Sequence, residues 1–546
     1  MRDHSRRSLL RSATVAGAGL ALPVALPAGA NGAAAASGAG RPAGRDPWPP
    51  PLGPAVVGPR DARYYALVRR GINARHLGSP DEVRVVGGTE QVADALREAV
   101  RRGLRVSVRS GGHCFEDFVD HPEVRMIIDM SGMTNVYYDE ERRAFAVETG
   151  ATLAEVYRRL YLGWGVTIPG GWCPTVGAGG HVQGGGFGTL SRLHGLTVDH
   201  LYGVEVVVVD DRGRVRTLVA TREEDDPHRD LWWAHTGGGG GNFGVVTRYW
   251  FRSPGARGND PTRLLPRPPR SVLTFKAAWS WEDLDEAAFT RMLRNHGAWV
   301  EDHSDSGSPY AALHTNLILL PTLMGDPYLI GQVSAESGAE RIMRDHLDAI
   351  SAGTALYTVA KQENEVPWLT ASQVGSGEGT GRMYGKMKSA YAKKTLSGRQ
   401  IATAYRHLTD QDPAHLSGAI SLATYGGRVS EVAPDATAYS HRESKFKIEY
   451  VTIWGDASQT PVFEAGIRNF YRAMYADTGG VPVPGEINDG AYINYPDVDM
   501  KDPEWNTSGV PWHQLYYKDN YARLQRVKSA YDPGNFFRHG LSVEPA

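Results

Sequence analysis

Cysteine is nearly absent: Cys114 and Cys173 are the only two in 546 residues. That excludes a disulfide-dense scaffold and any zinc or iron–sulfur centre built on several thiolates, and no metal site is expected. Charge of one sign is lacking too, with 59 basic against 61 acidic residues and a formal net charge of −2. Residues 1–43 hold five Arg and one Asp, so the remainder of the chain is the more acidic part. A faintly acidic body lacks the basic footprint that a nucleic-acid backbone requires, and nucleic acid is not an expected partner. Beyond the N-terminal forty residues no apolar run approaches the ~20 residues that cross a bilayer, so no membrane is expected either. Glycine is the opposite case. At 64 residues it exceeds a usual level of about 7%, and the excess is clustered.

The N-terminus reads as an address. Ser5-Arg6-Arg7-Ser8-Leu9-Leu10 precedes an apolar run from Ala13 to Leu26, then small residues with cleavage choices such as Ala28-Gly29-Ala30. A basic region, a short apolar region and an Ala-x-Ala site describe a secretory signal over 1–43. The adjacent arginines suggest the twin-arginine route, and the mature protein is expected outside the cell.

Residues 44–80, rich in proline at first, read as an N-terminal arm. From 81 the pattern alternates short strands (83–86, 104–108, 126–130, 144–148, 204–209, 215–218, 245–251) with helices (90–102, 153–162). This is a mixed α+β domain ending near 253. Prolines at 254–270 mark a boundary. Beyond it, strands at 272–278, 311–320, 330–335, 419–424 and 446–454 alternate with helices at 286–299 and 338–350. They predict a second domain over 254–502, followed by a C-terminal segment, 503–546.

Three glycine clusters carry the chemistry. Arg109-Ser110-Gly111-Gly112-His113 follows a strand and matches neither a Rossmann nor a Walker loop. The second runs from Gly170 to Gly188 and interleaves Trp172, Cys173, His181 and Phe187 among nine glycines. So much glycine disfavours a packed helix or strand. The segment suits a backbone surface moulded to a large flat ligand. The third, Thr236 to Gly244, again precedes a strand. Together they favour a dinucleotide laid along the domain.

With Ala491-Tyr492-Ile493-Asn494-Tyr495-Pro496-Asp497, these motifs resemble the berberine bridge enzyme-like FAD-linked oxidases, in order, from about 60 to 540. Within that family the sequence is most similar to bacterial tailoring oxidases of secondary metabolism. The resemblance implies a two-domain vanillyl-alcohol-oxidase (PCMH-type) FAD-binding fold. Its substrate domain is an antiparallel sheet covered by helices, and 503–546 returns to the FAD domain. It implies FAD attached twice, through His113 to the 8α-methyl carbon and through Cys173 to C6. Arg109, Ser110, Gly111 and Gly112 are expected at the pyrophosphate. Gly177, Gly179, Gly180, Gly184, Gly186, Gly188, Asn242, Gly244, Val245, Val246 and Asn494 complete the expected cofactor set. Val176 stands where oxidases of the family often have valine, which points to O2 as acceptor. His181 matches a histidine near the flavin N1/C2 edge, where positive or donor character stabilises reduced flavin. A Cys114–Cys173 disulfide with a surface His113 is the competing structural reading.

Tyr492 is the family's usual base. Lys447 and Glu449 alternate on one strand and share a face. Lys447 is expected to lower the phenol's pKa, and Glu449 matches a catalytic glutamate of alkaloid-oxidising members. Phe187 stands where some relatives have tyrosine, so a second partner would come from Tyr425 or Tyr495. The expected reaction turns an alcohol, a sugar hydroxyl on a bulky glycoside, into a ketone while O2 becomes hydrogen peroxide. Two alternatives stay open: an oligosaccharide oxidase acting at the reducing-end carbon, and a secreted carbohydrate-binding protein whose 13 Trp and 25 Tyr form stacking surfaces.

Overall fold

A computed structural model describes residues 53–359, 364–374, 382–411 and 418–546. The expected signal and the start of the arm lie outside the described residues. From Ala55 the chain is part of the body: Ala55–Val57 pairs antiparallel with Glu82–Val85. The segment read as an arm therefore begins the first sheet. That sheet runs Ala55–Val57, Glu82–Val85, Met126–Asp129, Val106–Arg109, the last three parallel.

A five-stranded antiparallel sheet lies beside it, in the order Val136–Asp139, Ala144–Glu148, Val245–Phe251, Leu201–Val209, Val215–Thr221. The helix Thr89–Arg102 buries Val92, Leu96 and Ala99 in a core shared with Met126, Ile128, Val207 and Val245. Phe537, from the far end of the chain, enters that same core.

The third sheet has eight strands and is antiparallel. Its order is Thr358–Val359, Ser271–Ala278, Tyr328–Ser334, Leu313–Leu319, Ala419–Thr424, Phe446–Trp454, Tyr384–Ala392, with Asn364–Pro367 also on Ser271–Ala278. Leu317, Leu422, Ile448 and Ala390 stand in one cross-strand row and are buried. That face is covered by helices, among them Glu286–Asp302, Ala339–Ser351 and Thr460–Met474. Period-two alternation turns the neighbouring row, Asn316, Ala423, Lys447 and Tyr391, to the opposite face. That second face is the wall of the site.

The C-terminal helix Tyr521–Tyr531 packs against Arg229–Ala234 of the first domain. Its buried Lys528 donates to Asp532 and to the carbonyls of Asn242 and Phe537, each at 2.6 Å.

Candidate active site

A cavity of about 470 Å³ runs between the glycine turns of the first domain and the uncovered face of the third sheet. On the first side, Ser110 Oγ donates to Thr149 O (2.6 Å), and Arg70 reaches the Ser110 carbonyl. Gly111 and Gly177 lie back to back: a Cβ on either would meet the other's amide nitrogen at 2.2 Å. Gly112 has φ +81°, a left-handed conformation in which glycine is unstrained. Arg109 is buried and bonded to Asp129 through Nε (3.0 Å) and Nη2 (2.8 Å), while its Nη1 is buried without a hydrogen-bond partner among the described residues. Gly177, Gly179 and Gly180, the turn at Gly239–Gly244, and Val245 and Val246 continue the wall.

The long glycine segment is not wholly irregular. Ala178–Gln183 forms one short helix, against the expectation from composition, because Gly179 leaves no Cβ where Thr149 O and Ser110 crowd in at 2.8–2.9 Å. Gly184 and Gly186 do not line the cavity. A Cβ on Gly184 would strike the Asn494 side chain at 2.1 Å, and one on Gly186 would strike Thr197 at 2.5 Å. These two glycines permit close packing behind the wall.

His113 and Cys173 meet at one hydroxyl. His113 Nε2 lies 3.0 Å and Cys173 Sγ 3.4 Å from Thr175 Oγ1. Cys114 and Cys173 form no disulfide, so the disulfide alternative is overturned. Burial pushes the Cys114 thiol up to about 12, which leaves it a poor nucleophile. Val176 lines the cavity beside them.

His181 is buried, and its Nε2 accepts the Gly171 N–H at 3.0 Å. Burial, aided by the nearby Lys447 charge, pushes it down to about 4. The imidazole is thus neutral with its proton on Nδ1, a donor rather than the cation that was one of the expectations.

Opposite stand Tyr492, Lys447, Glu449 and Asn494. Tyr492 comes from a loop docked on the sheet, its N–H on Ser389 Oγ (3.0 Å). Asn494 Nδ2 donates to the Tyr492 hydroxyl oxygen and to His181 O, both at 2.9 Å. The backbone N–H groups of Gly186 and Phe187 act on the same phenol oxygen, yet burial prevails and the group is pushed up to about 12. Burial, not Lys447, sets the direction, against the expected lowering. Lys447 Nζ is ion-paired with Glu449 and sits 4.2 Å from the Tyr495 ring centroid, against 5.4 Å for Tyr492. Burial lowers the Lys447 pKa as well, Glu449 opposing the shift.

Tyr425 does not reach the cavity. Its ring lies 5.0 Å from that of Phe187, and its hydroxyl is bonded to Tyr439 Oη (2.8 Å) and His441 O (3.3 Å). Tyr495 is the partner that lines the wall, with its hydroxyl on Glu449.

Several wall residues escaped sequence reasoning: Gln183, Trp172, His314, Asn316 and the Phe537–His539 segment. Trp172, beside Cys173, was the one with a signal. The others depend on which strand or chain end folds back.

Glycine turns in mutual contact, an orphaned guanidinium nitrogen and a long cavity fit a dinucleotide. The imidazole and thiol at one end fit attachment to its reactive ring. Fold and cavity define a flavin-dependent oxidoreductase. The FAD binding domain family matches residues 80–218, and the "Berberine and berberine like" family matches 491–544. The chain is 52% identical over 486 residues to aclacinomycin-N/aclacinomycin-A oxidase of Streptomyces galilaeus, covering 89% of each chain. It is 31% identical to hexose oxidase of Chondrus crispus, covering 87% of this chain and 92% of that one. Among solved structures, a glycopeptide hexose oxidase complexed with teicoplanin superposes with a TM-score of 0.87 at 50% identity, covering 91% of this chain and all of that one. The chain belongs to the berberine bridge enzyme-like FAD-linked oxidases, and is a FAD-dependent oxidase with the two-domain fold of that family.

Proposed function

We propose that this oxidase acts on a sugar hydroxyl of a glycosylated secondary metabolite, giving the ketone while O2 is reduced to H2O2. The observation that carries the reading is the convergence of His113 and Cys173 on Thr175 at one wall of a cavity whose other wall holds Tyr492 and the Lys447–Glu449 pair. The names of the relatives, hexose oxidase and glycopeptide hexose oxidase, support the sugar. When bound, FAD supplies the two-electron redox chemistry.

The chain's residues do the rest. Ser110–Gly112 and Gly239–Gly244 would offer backbone to the dinucleotide, and His113 and Cys173 would be the residues that tether its ring. His181 would offer its neutral Nδ1–H to the ring edge. Tyr492 receives the proton of the substrate hydroxyl, with Asn494 holding the phenol oxygen. Val176 leaves room for O2. The leader exports the folded protein.

The test is peroxide release from aerated enzyme over a panel of glycosides, with product mass two units below substrate. Acid-precipitated protein is expected to stay yellow. Colour released to the supernatant would refute the double tether. Peroxide from simple sugars with an acid product would favour the reducing-end alternative.

A further inference from the structure

His314 and Asn316 stand two apart on Leu313–Leu319, so both side chains face the cavity from a central strand of the third sheet. Both are 7% exposed. His314 Nδ1 is buried, and among the described residues it has no hydrogen-bond partner. That nitrogen is closed off from the cavity, so the atom His314 offers a ligand is Nε2, the ring nitrogen that is not buried. Asn316 Oδ1 already accepts from Ser421 Oγ (2.6 Å), which leaves its NH2 as the group for a ligand. Trp172, 37% exposed and also on the cavity, meets His314 edge-on, ring centroids 6.5 Å apart at 82°. Phe187 closes the other side at 5.7 Å.

We propose that His314 and Asn316, flanked by the Trp172 indole, form the subsite that holds the substrate's sugar ring, His314 Nε2 hydrogen-bonding one ring hydroxyl. This rests on the sugar reading above. A pyranose has a hydroxylated rim and an apolar C–H face, and the subsite offers a polar pair beside an aromatic surface. Burial and the charges of Arg192 and Lys447 push His314 down to about 3, so it stays neutral at any working pH. A neutral imidazole carries one donor and one acceptor, as a hydroxyl does. The rigid sheet fixes the subsite, and the loop of Tyr492 brings the proton acceptor to it.

The test uses flavin-loaded protein with three probes: aclacinomycin N, teicoplanin and D-glucose. Turnover by the unchanged protein comes first. If none of the three releases peroxide or perturbs the flavin spectrum, the sugar reading falls and the subsite with it. With a probe that is turned over, His314→Leu is expected to raise KM roughly ten- to hundred-fold, while the limiting rate of flavin reduction stays within a few-fold. His314→Asn, which restores a polar atom, is expected to recover much of the affinity. An unchanged KM in His314→Leu overturns the subsite and leaves the sugar reading standing. Should His314→Leu lose its flavin, Asn316→Leu carries the same expectation, and an unchanged KM there is equally fatal.

Discussion

Tyr492 meets hydrogen-bond donors at its oxygen, is buried, and has the Lys447–Glu449 pair beside it. Donors favour a phenolate, whereas burial opposes it, and burial is the larger effect here. Tyr492→Phe keeps the ring and is expected to slow anaerobic flavin reduction by roughly 10²–10⁴-fold, the usual worth of a general base. A collapse in Glu449→Gln with near-normal Tyr492→Phe would move the role to Glu449. Asn494→Leu removes one donor, so the phenol's pKa rises further. The alkaline-going limb of the reductive rate against pH should then move up. A limb that stays in place would show that Asn494 does not tune the phenol. Little of this was legible beforehand. The sequence named Tyr492, Lys447 and Glu449, but whether Lys447 faces the phenol or its own strand neighbour depends on side-chain geometry that spacing alone does not set.

At the scale of elements, the glycine turns work by contact between backbones. A Cβ on Gly188 would lie 1.7 Å from Gly170 O, so Gly188→Ala must separate the two limbs of the segment that carries Cys173. Loss of bound flavin colour and a lower melting temperature are expected. Gly163, inside the helix Leu153–Trp164 with nothing within 4 Å of a built Cβ, is the contrast. Gly163→Ala should stabilise by up to about 1 kcal/mol. Equal behaviour of the two variants in a thermal melt would refute the packing argument. Strands with continuous apolar or alternating runs were legible, as at 245–251 and 446–454. Tyr384–Ala392 was not, because Lys386 and Lys388 break any apolar pattern along it. Both are buried: Lys386 on Glu116 (3.1 Å) and Asp497 (3.0 Å), and Lys388 on Asp497 (2.5 Å) and Asp499 (2.7 Å). Their partners come from loops more than a hundred residues away, beyond the reach of any local pattern.

Across the whole molecule, that charge cluster ties the loop after His113 to the loop after Tyr492, and so links the two walls of the cavity. Buried histidines set the acid limit of the fold. His235 and His296 are pushed down to about 4, and His346 well below its usual value, in each case first by burial. Their folded pKa lies below the unfolded value near 6.5. Between about pH 6.5 and 4 the unfolded chain therefore binds more protons, and stability falls as pH falls through that window. Each such group contributes about 1.4 kcal/mol per pH unit at most. The melting temperature should drop by several degrees or more from pH 7 to 5. A flat profile would mean that these imidazoles are protonated when folded.

The sequence by itself determined the family, the glycine turns and the residues at the reactive end, because those are local: a turn needs its glycines wherever it sits, and a nucleophile needs its own atom type. The facing wall was settled only by tertiary structure. Phe187 separates Tyr425 from the cavity, His314 is turned to the cavity beside Trp172 and Lys447 is given to Glu449. Each outcome depends on which strand lies beside which, and that is decided by burying one face of a sheet under helices and leaving the other to the ligand.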